Sequence, residues 1–333
     1  MTWLALVMAI AVAAAATDAQ TSIPDMPPMV VHTIPPAPPI PPSPPPFCPK
    51  PPCPPPAPPP PPPKGFDFGL IMPATGSFPL PRLAVALSAD YKSTLLPGPV
   101  LPGSPPDKYY YANACPWLVQ AGWACASLDL PSHGTNTLPK EPTGIAGWRW
   151  RTDRNIDWVN SSKARIDQMI NFLAANKLTN GTNIAITGIS RGGYLAATYA
   201  AAAGTKKVSA VGLLSPVTNL SLLAEFEAEN ATMEAKLATM EVAGLADQLA
   251  TQNIWTIIGD EDPRVFTDAC ISTIRKYQCS GCSTKTAFSC SGCQATHGDS
   301  VLTVPRETKG HTVPPSSDPA STFAALAAWI LKH

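Results

Sequence analysis

Residues 183–199 read NIAITGISRGGYLAATY, which predicts a strand, a tight turn and a helix in succession. Its first five residues are rich in β-branched side chains and predict a strand, whereas the residues from Arg191 onward predict a helix of small side chains. The turn between them, GISRG at residues 188–192, fits the pattern G-x-S-x-G, which places the serine hydroxyl on a strained bend. The glycines let strand and helix approach closely, and the helix N-terminus directs N–H groups at the hydroxyl. The alternative is a Gly-rich turn with an idle serine.

The segment GISRGG at residues 188–193 resembles the nucleophile elbow of the α/β-hydrolase superfamily, in a form similar to the prolyl-oligopeptidase and dienelactone-hydrolase branches. The resemblance implies an α/β fold with a doubly wound, mostly parallel sheet. It also implies a catalytic triad in the chain order Ser, then Asp or Glu, then His. Dienelactone hydrolases carry Cys at the elbow, so the serine of this chain argues against that particular activity.

Apolar, strand-like segments alternate with helix-like segments along the chain, which predicts a mostly parallel sheet covered on both faces. The predicted strands are residues 65–74, 83–88, 123–128, 183–187, 208–214, 253–258 and 301–304, and the predicted helices are residues 107–122, 161–177, 265–277 and 318–331. Residues 218–250 are rich in Glu, Ala, Met and Leu and have helical propensity. The family resemblance implies that this insertion caps the site, and a plain crossover helix pair is the alternative.

Composition excludes several classes of function. The chain has 333 residues, a formal net charge of zero and only 14% charged residues, without a Lys/Arg run, so we expect no nucleic-acid partner. We also expect no cofactor and no metal. After the proline-rich residues at the N-terminus, about 270 residues remain, enough for one α/β domain over residues 65–333.

The N-terminal residues resemble a targeting segment. Residues 1–19 contain an apolar, Ala-rich core that is too short to span a bilayer and is followed by small residues, which predicts a cleaved signal peptide and a secreted protein. This segment lacks Lys and Arg, so an uncleaved anchor or a different start is the alternative. No other stretch is apolar and long enough to predict a transmembrane segment. Four N-x-S/T sequons weakly support a secreted glycoprotein: Asn160, Asn180, Asn219 and Asn230.

Residues 20–64 are dominated by proline. Proline fixes φ and removes the N–H donor, so this segment is predicted to form an extended polyproline II linker without helix or sheet. Its runs resemble the hydroxyproline-rich wall glycoproteins of plants and green algae, which implies association with a cell wall. An inert linker is the alternative. Cys48 and Cys53 lie within the segment, where they could cross-link two chains.

A serine nucleophile needs a base and an acid at the same edge of the sheet. His311 follows the last predicted strand, where the resembled family places its base, and His297 is the alternative. Residues 259–265 read GDEDPRV, and the spacing G-x-x-D-x-x-V resembles the acid loop of the family. That spacing selects Asp262, with Asp260 as the alternative. The predicted triad is therefore Ser190, Asp262 and His311.

An oxyanion hole needs two N–H donors. The first is predicted to be Arg191, directly after the serine, and the second is predicted to come from Ala89 or Asp90, in the loop after residues 83–88. This loop departs from the His-Gly of many relatives. The carboxylate of Asp90 would oppose a developing oxyanion unless it points away.

Two further segments lie close to the expected site. Residues 147–151, GWRWR, place Trp148 and Trp150 beside the expected pocket and predict substrate contacts, with a packed Trp/Arg stack as the alternative. His133, in the segment DLPSHG, resembles a family loop at the rim of the site, but a turn residue next to Gly134 is favoured over a catalytic role.

The chain has nine cysteines, so they cannot all pair internally. Two CxxC pairs, Cys279/Cys282 and Cys290/Cys293, have a spacer that is short for a zinc ribbon, and in a secreted chain they predict disulfides instead. Cys270 and the pair Cys115/Cys125 could join that framework.

These patterns together predict hydrolysis of a small-molecule carboxylic ester through an acyl-enzyme. A serine peptidase of prolyl-oligopeptidase type is the nearest enzymatic alternative. A wall-associated binding protein that has the hydrolase fold but no activity is the alternative outside the enzymes.

Overall fold

The computed structural model describes residues 26–36, 65–96, 113–227, 230–280, 284–285, 290–291, 298–305, 310–311 and 319–333. The strands are β1 (Val30–Ile34), β2 (Phe66–Ile71), β3 (Leu80–Leu87), β4 (Ala124–Leu128), β5 (Thr179–Ile189), β6 (Val208–Leu214), β7 (Ile254–Ile257), β8 (Thr284–Lys285), β9 (Cys290–Ser291) and β10 (Ser300–Thr303). The helices are α1 (Tyr91–Leu95), α2 (Cys115–Gln120), α3 (Ile145–Asp153), α4 (Trp158–Ala175), α5 (Arg191–Ala203), α6 (Ala231–Ala238), α7 (Ala246–Leu249), α8 (Thr267–Gln278) and α9 (Pro319–Ile330).

Eight strands form one sheet in the order β1-β2-β4-β3-β5-β6-β7-β10, and β8 and β9 form a separate hairpin. Neighbouring strands from β4 to β10 are parallel, whereas β2 is antiparallel to both β1 and β4. The predicted mostly parallel sheet is therefore confirmed. Since parallel strands end at the same edge, the loops after β3, β4, β5, β7 and β10 meet there.

The sheet is buried on both faces. Successive side chains of β3 alternate between two cores: Leu83, Val85 and Leu87 enter the first, whereas Ala84 and Ala86 enter the second. Residues of α4, α5 and α8 cover the first core, and residues of α2 and α9 cover the second. This is the doubly wound arrangement that the alternation of apolar strands and helices predicted. None of the helices in the described ranges combines the length and the apolarity needed to cross a bilayer.

The prediction that residues 20–64 form no sheet is wrong for one segment. The sequence VVHTI at Val30–Ile34 forms the edge strand β1, paired antiparallel with β2, and His32 stacks on Phe68 with ring centroids 5.3 Å apart. These five residues contain no proline and are mostly β-branched, so they retain the N–H donors and the conformation that a ladder needs. The predicted signal peptide and residues 37–64 lie outside the described residues.

Cysteine pairing was predicted in part. A disulfide joins Cys115 at the start of α2 to Cys125 in β4, and Cys279 is also disulfide-bonded. Cys270 does not join the framework: it is a buried free thiol on α8, and burial, followed by the charge of Asp262, raises its pKa to about 12. Cys282 and Cys293 lie outside the described residues.

Candidate active site

Ser190 occupies the bend between β5 and α5. Its φ of 53° and ψ of −117° are strained for a residue with a side chain, as expected for a nucleophile elbow. The bend is held in place by its backbone, because the Ser190 N–H donates to the Leu214 carbonyl over 2.9 Å and the Ser190 carbonyl accepts from Val217 N over 3.0 Å. A Cβ added at Gly192 would overlap the Leu87 carbonyl. Glycine is therefore required where the helix crosses the end of β3.

His311 lies between Ser190 and Asp262. The Nε2 atom of His311 is 2.9 Å from Ser190 Oγ, and its Nδ1 atom is 2.8 Å from Asp262 Oδ2. An ionised carboxylate can only accept hydrogen bonds, so the proton of the neutral ring is on Nδ1 and Nε2 is left as an acceptor for the serine hydroxyl. The structure therefore brings together the three residues that the sequence selected.

The carboxylate of Asp262 is completely buried, with 0% side-chain exposure. Its Oδ1 atom accepts from the N–H groups of Arg264 and Val265, over 3.0 and 3.1 Å, which leaves Oδ2 for His311. The Gly310 N–H donates to the carbonyl of Glu261, so the histidine segment is tied to the acid loop. The alternative acid, Asp260, makes no hydrogen bond to His311 in the described structure, and the alternative base, His297, lies outside the described residues.

The predicted oxyanion donors lie at the two expected loops. Arg191 is the first residue of α5, so its N–H has no acceptor within the helix. Ala89 and Asp90 follow β3, the neighbour of β5, and the Asp90 carboxylate caps α1 by accepting from Ser93 N and Ser93 Oγ, over 2.9 and 2.7 Å. Burial alone would raise the pKa of Asp90, but these hydrogen bonds and the charge of His133 together lower it. The carboxylate is thus bound to the helix terminus.

The predicted substrate contact through Trp148 is wrong. Trp148 is 0% exposed, and its ring centroid lies 4.3 Å from that of Trp158. Its Nε1–H donates to the Pro131 carbonyl over 2.8 Å. Its place on the inner face of α3 leaves no surface for a ligand. Trp150 is half-buried on the other side of the helix. The guanidinium of Arg154 stacks on it, with Cζ 4.0 Å from the ring centroid of Trp150. Both tryptophans are therefore packed, as the alternative held, but only Trp150 stacks on an arginine.

Sequence reasoning missed the side chain of Arg191. Its Nη1 atom lies 2.8 Å from Nε2 of His133, which stands in the loop after β4. Burial, followed by the charge of Arg191, lowers the pKa of His133. The resemblance placed His133 at the rim of the site and Arg191 directly after the nucleophile, but nothing in their spacing indicated that the two side chains touch.

The insertion after β6 borders the site. Arg264 of the acid loop forms an ion pair with Glu225, in the 3-10 turn Ala224–Phe226. Farther along the insertion, the Met240 carbonyl accepts from the hydroxyl of Tyr194, one turn along α5 from the serine. The insertion consists of short helical turns and packs on α5 and the acid loop.

A cavity of about 480 Å³ lies between α4, α5 and the insertion. Trp158, Tyr194 and Met240 are among its walls, whereas Ser190, Asp262 and His311 are not. Its volume alone does not make it the active site, because the reactive groups are elsewhere.

Comparisons with known proteins agree with this architecture. The family model described as the alpha/beta hydrolase fold matches residues 100–241, which include the elbow. No curated protein matches the sequence significantly. The fold is similar to dipeptidyl peptidase 4 of Porphyromonas gingivalis (13% identity, TM-score 0.55), covering 81% of this chain and 34% of that one.

Two other solved structures extend the similarity. Acylaminoacyl peptidase of Pyrococcus horikoshii is 12% identical with a TM-score of 0.54, over 80% of this chain and 39% of that one. An esterase of Pyrococcus furiosus is 12% identical with a TM-score of 0.51, over 80% of this chain and 86% of that one. The chain thus spans little more than a third of the length of the two peptidases. Its strand order, its strained serine turn and the family match over residues 100–241 together show that the chain has the alpha/beta hydrolase fold.

Proposed function

We propose that this chain is a serine hydrolase that cleaves a carboxylic ester through an acyl-enzyme. The observation that carries the proposal is the hydrogen-bonded line from Ser190 Oγ through the His311 ring to the buried carboxylate of Asp262. A hydroxyl on a strained bend, an imidazole acceptor and a carboxylate that orients the ring are the parts that nucleophilic acyl transfer requires.

In the first step, Ser190 Oγ attacks the carbonyl carbon of the ester while its proton moves to Nε2 of His311. Asp262 keeps the other ring proton on Nδ1 and stabilises the imidazolium. The carbonyl oxygen becomes an oxyanion and accepts from the Arg191 N–H and from one N–H of the loop after β3. When the tetrahedral intermediate collapses, the bond to the alcohol oxygen breaks, and His311 gives its proton to the leaving alcohol.

In the second step, water replaces the alcohol. His311 takes a proton from the water as its oxygen attacks the acyl carbon, and the same N–H groups hold the new oxyanion. Collapse breaks the bond to Ser190 Oγ, which recovers its proton from His311 and releases the carboxylic acid. No cofactor is needed to balance either step.

Two alternatives remain for the reaction. The similarity of the fold to two peptidases favours a serine peptidase as the second candidate. Hydrolysis of 4-nitrophenyl acyl esters, compared with Pro-containing peptide 4-nitroanilides at equal concentrations, separates the two. A hydrolase fold that only binds its ligand would cleave neither kind of substrate.

The test of the mechanism is covalent labelling with a fluorophosphonate probe. We expect the wild type to be labelled and the Ser190→Ala variant not to be. The matched control is Ser161→Ala, at an exposed serine on α4 that should leave labelling intact. A folded wild type that resists the probe and all esters would refute hydrolysis and favour a binding protein.

We further propose that the protein is secreted. The disulfide between Cys115 and Cys125 supports an oxidising compartment, and residues 1–19 have the composition of a signal peptide. The proline-rich tail is the proposed link to the cell wall. Deleting residues 37–64 should move the enzyme from the wall fraction to the medium, and an unchanged distribution would mean that the tail is an inert linker.

A further inference from the structure

The side chain of Arg191 starts next to the nucleophile in the chain and ends at a different loop. Arg191 follows Ser190 directly, and its guanidinium reaches the loop after β4, where it contacts His133. A Cβ added at Gly144 in the same loop would lie 3.4 Å from Nη1. In the sheet, β3 lies between β4 and β5, so the side chain extends across the carboxyl end of β3. The guanidinium is therefore on the side of the site where the second oxyanion donor is expected.

The partner of Arg191 is a neutral ring. The Nδ1 atom of His133 lies 2.8 Å from the Pro131 carbonyl, which can only accept, so this nitrogen carries the ring proton. The Nε2 lone pair then accepts from Arg191 over 2.8 Å. The buried Trp148 also donates to the Pro131 carbonyl and fixes the loop. His133 consequently orients the guanidinium without neutralising its charge.

The protein supplies little counter-charge at this point, because the carboxylate of Asp90, whose charge acts on His133, is bound to Ser93 at the start of α1. Among the described residues, no carboxylate lies within ion-pair distance of Arg191. Glu225, whose charge acts on Arg191, is already paired with Arg264, so two guanidinium groups share one acid. Burial, followed by the charge of Arg264, lowers the pKa of Arg191, although the group stays charged at any physiological pH. A half-buried cation with free N–H groups favours an anion from outside the chain.

We propose that Arg191 binds a carboxylate of the substrate, so that the preferred esters are anionic half-esters of dicarboxylic acids or esters of hydroxy acids. This inference rests on the proposed ester hydrolysis and names its substrate class. A guanidinium presents two parallel N–H groups that match a carboxylate, which makes Arg better suited than Lys to this contact. Because Arg191 adjoins the nucleophile, the bound carboxylate lies within a few bonds of the scissile carbonyl.

The test compares anionic esters with neutral analogues. Mono-4-nitrophenyl succinate is paired with 4-nitrophenyl butyrate, and 3-acetoxybenzoate with phenyl acetate, so that the charge is on the acyl side or on the alcohol side. The measured quantity is the ratio of kcat/KM, anionic over neutral. We expect Arg191→Gln to lower this ratio at least tenfold for one pair, and Arg191→Lys to retain part of it.

The matched control is Arg82→Gln. Arg82 is exposed near the start of β3, at the opposite end of the sheet, and its loss changes the net charge equally. We expect its ratio to match that of the wild type. If the ratio of a folded Arg191→Gln enzyme stays within twofold of wild type for both pairs, the inference is wrong.

Binding to an inactive enzyme separates this inference from the proposed function. Ser190→Ala and Ser190→Ala/Arg191→Gln are titrated calorimetrically with mono-4-nitrophenyl succinate and with 3-acetoxybenzoate. We expect the loss of Arg191 to weaken binding of one of them at least tenfold. Hydrolysis of neutral esters without any effect of Arg191 would refute only the carboxylate site. Binding that depends on Arg191 in a protein that hydrolyses no ester would refute only the hydrolase.

Discussion

The Nδ1 atom of His311 lies 2.8 Å from Oδ2 of Asp262, while Oδ1 of the same carboxylate accepts two backbone N–H groups. In Asp262→Asn, the amide oxygen would keep the backbone hydrogen bonds and the amide NH₂ would face Nδ1. The ring would then carry its proton on Nε2 and could not accept from Ser190. We expect kcat for ester hydrolysis to fall about 10⁴-fold with little loss of stability.

The control for this prediction is Asp260→Asn, which changes the neighbouring acid of the same loop. Since Asp260 does not contact His311 in the described structure, its substitution should lower kcat less than about tenfold. Equal losses in the two variants, measured with one 4-nitrophenyl ester, would contradict the assignment of Asp262.

Gly192 lies where α5 crosses the end of β3. A Cβ at this position would overlap the carbonyl of Leu87, and a strand backbone cannot move aside. We expect Gly192→Ala to lower the free energy of unfolding by about 3 kcal/mol or more, measured by urea denaturation. Gly244, where a Cβ would meet nothing within 4 Å, is the control, and Gly244→Ala should be neutral within about 1 kcal/mol. A stable Gly192→Ala protein would mean that the elbow is packed less closely than described.

The loop that carries His133 is held by a buried ion pair. Both oxygens of Glu141 accept from Arg151, and Oε1 also accepts from Ser132, with side-chain exposures of 0% for Glu141 and 4% for Arg151. Glu141→Gln should therefore leave the Arg151 charge uncompensated and destabilise the fold by about 3–5 kcal/mol.

A surface ion pair serves as the comparison for Glu141. Arg149 and Asp153 lie one helical turn apart, and Arg149 Nε is 2.7 Å from Asp153 Oδ1. Their side chains are 15% and 38% exposed. Asp153→Asn should change stability by no more than about 1 kcal/mol. The measurement is the Tm of both variants in thermal unfolding. Similar decreases in Tm would show that the buried ion pair contributes no more to stability than the surface pair.

The protonation state of His133 links stability to pH. Burial, then the charge of Arg191, lowers the pKa of His133 in the folded protein below its usual value of 6.5. The unfolded chain therefore binds more protons in this range, and stability decreases as the pH falls from about 6.5 through the lowered pKa. We expect Tm of the wild type to fall more steeply between pH 7 and 5 than Tm of His133→Gln. If Tm depends on pH equally in the wild type and in His133→Gln, then protonation of His133 does not contribute to the pH dependence of stability.

Much of the fold could be predicted from local patterns. The strands are continuous apolar segments, and α4 and α8 repeat apolar residues at helical spacing, so each element is encoded within a few neighbouring residues. The helix α3 was missed, although Ile145, Trp148 and Arg151 are buried on one side of it, since Trp and Arg do not form an obvious apolar stripe. The strand β1 was missed because the prolines around it dominated the composition.

The nucleophile turn could be identified from the sequence because the steric demands of G-x-S-x-G are local, whereas the order of its partners and the choice of Asp262 followed from the family resemblance. The burial of Trp148, the capping of α1 by the Asp90 carboxylate and the contact between Arg191 and His133 became visible only in the folded protein. The direction of a side chain depends on which distant elements pack against it. For Arg191 that element is a loop 58 residues earlier in the chain, so no local pattern could reveal the contact.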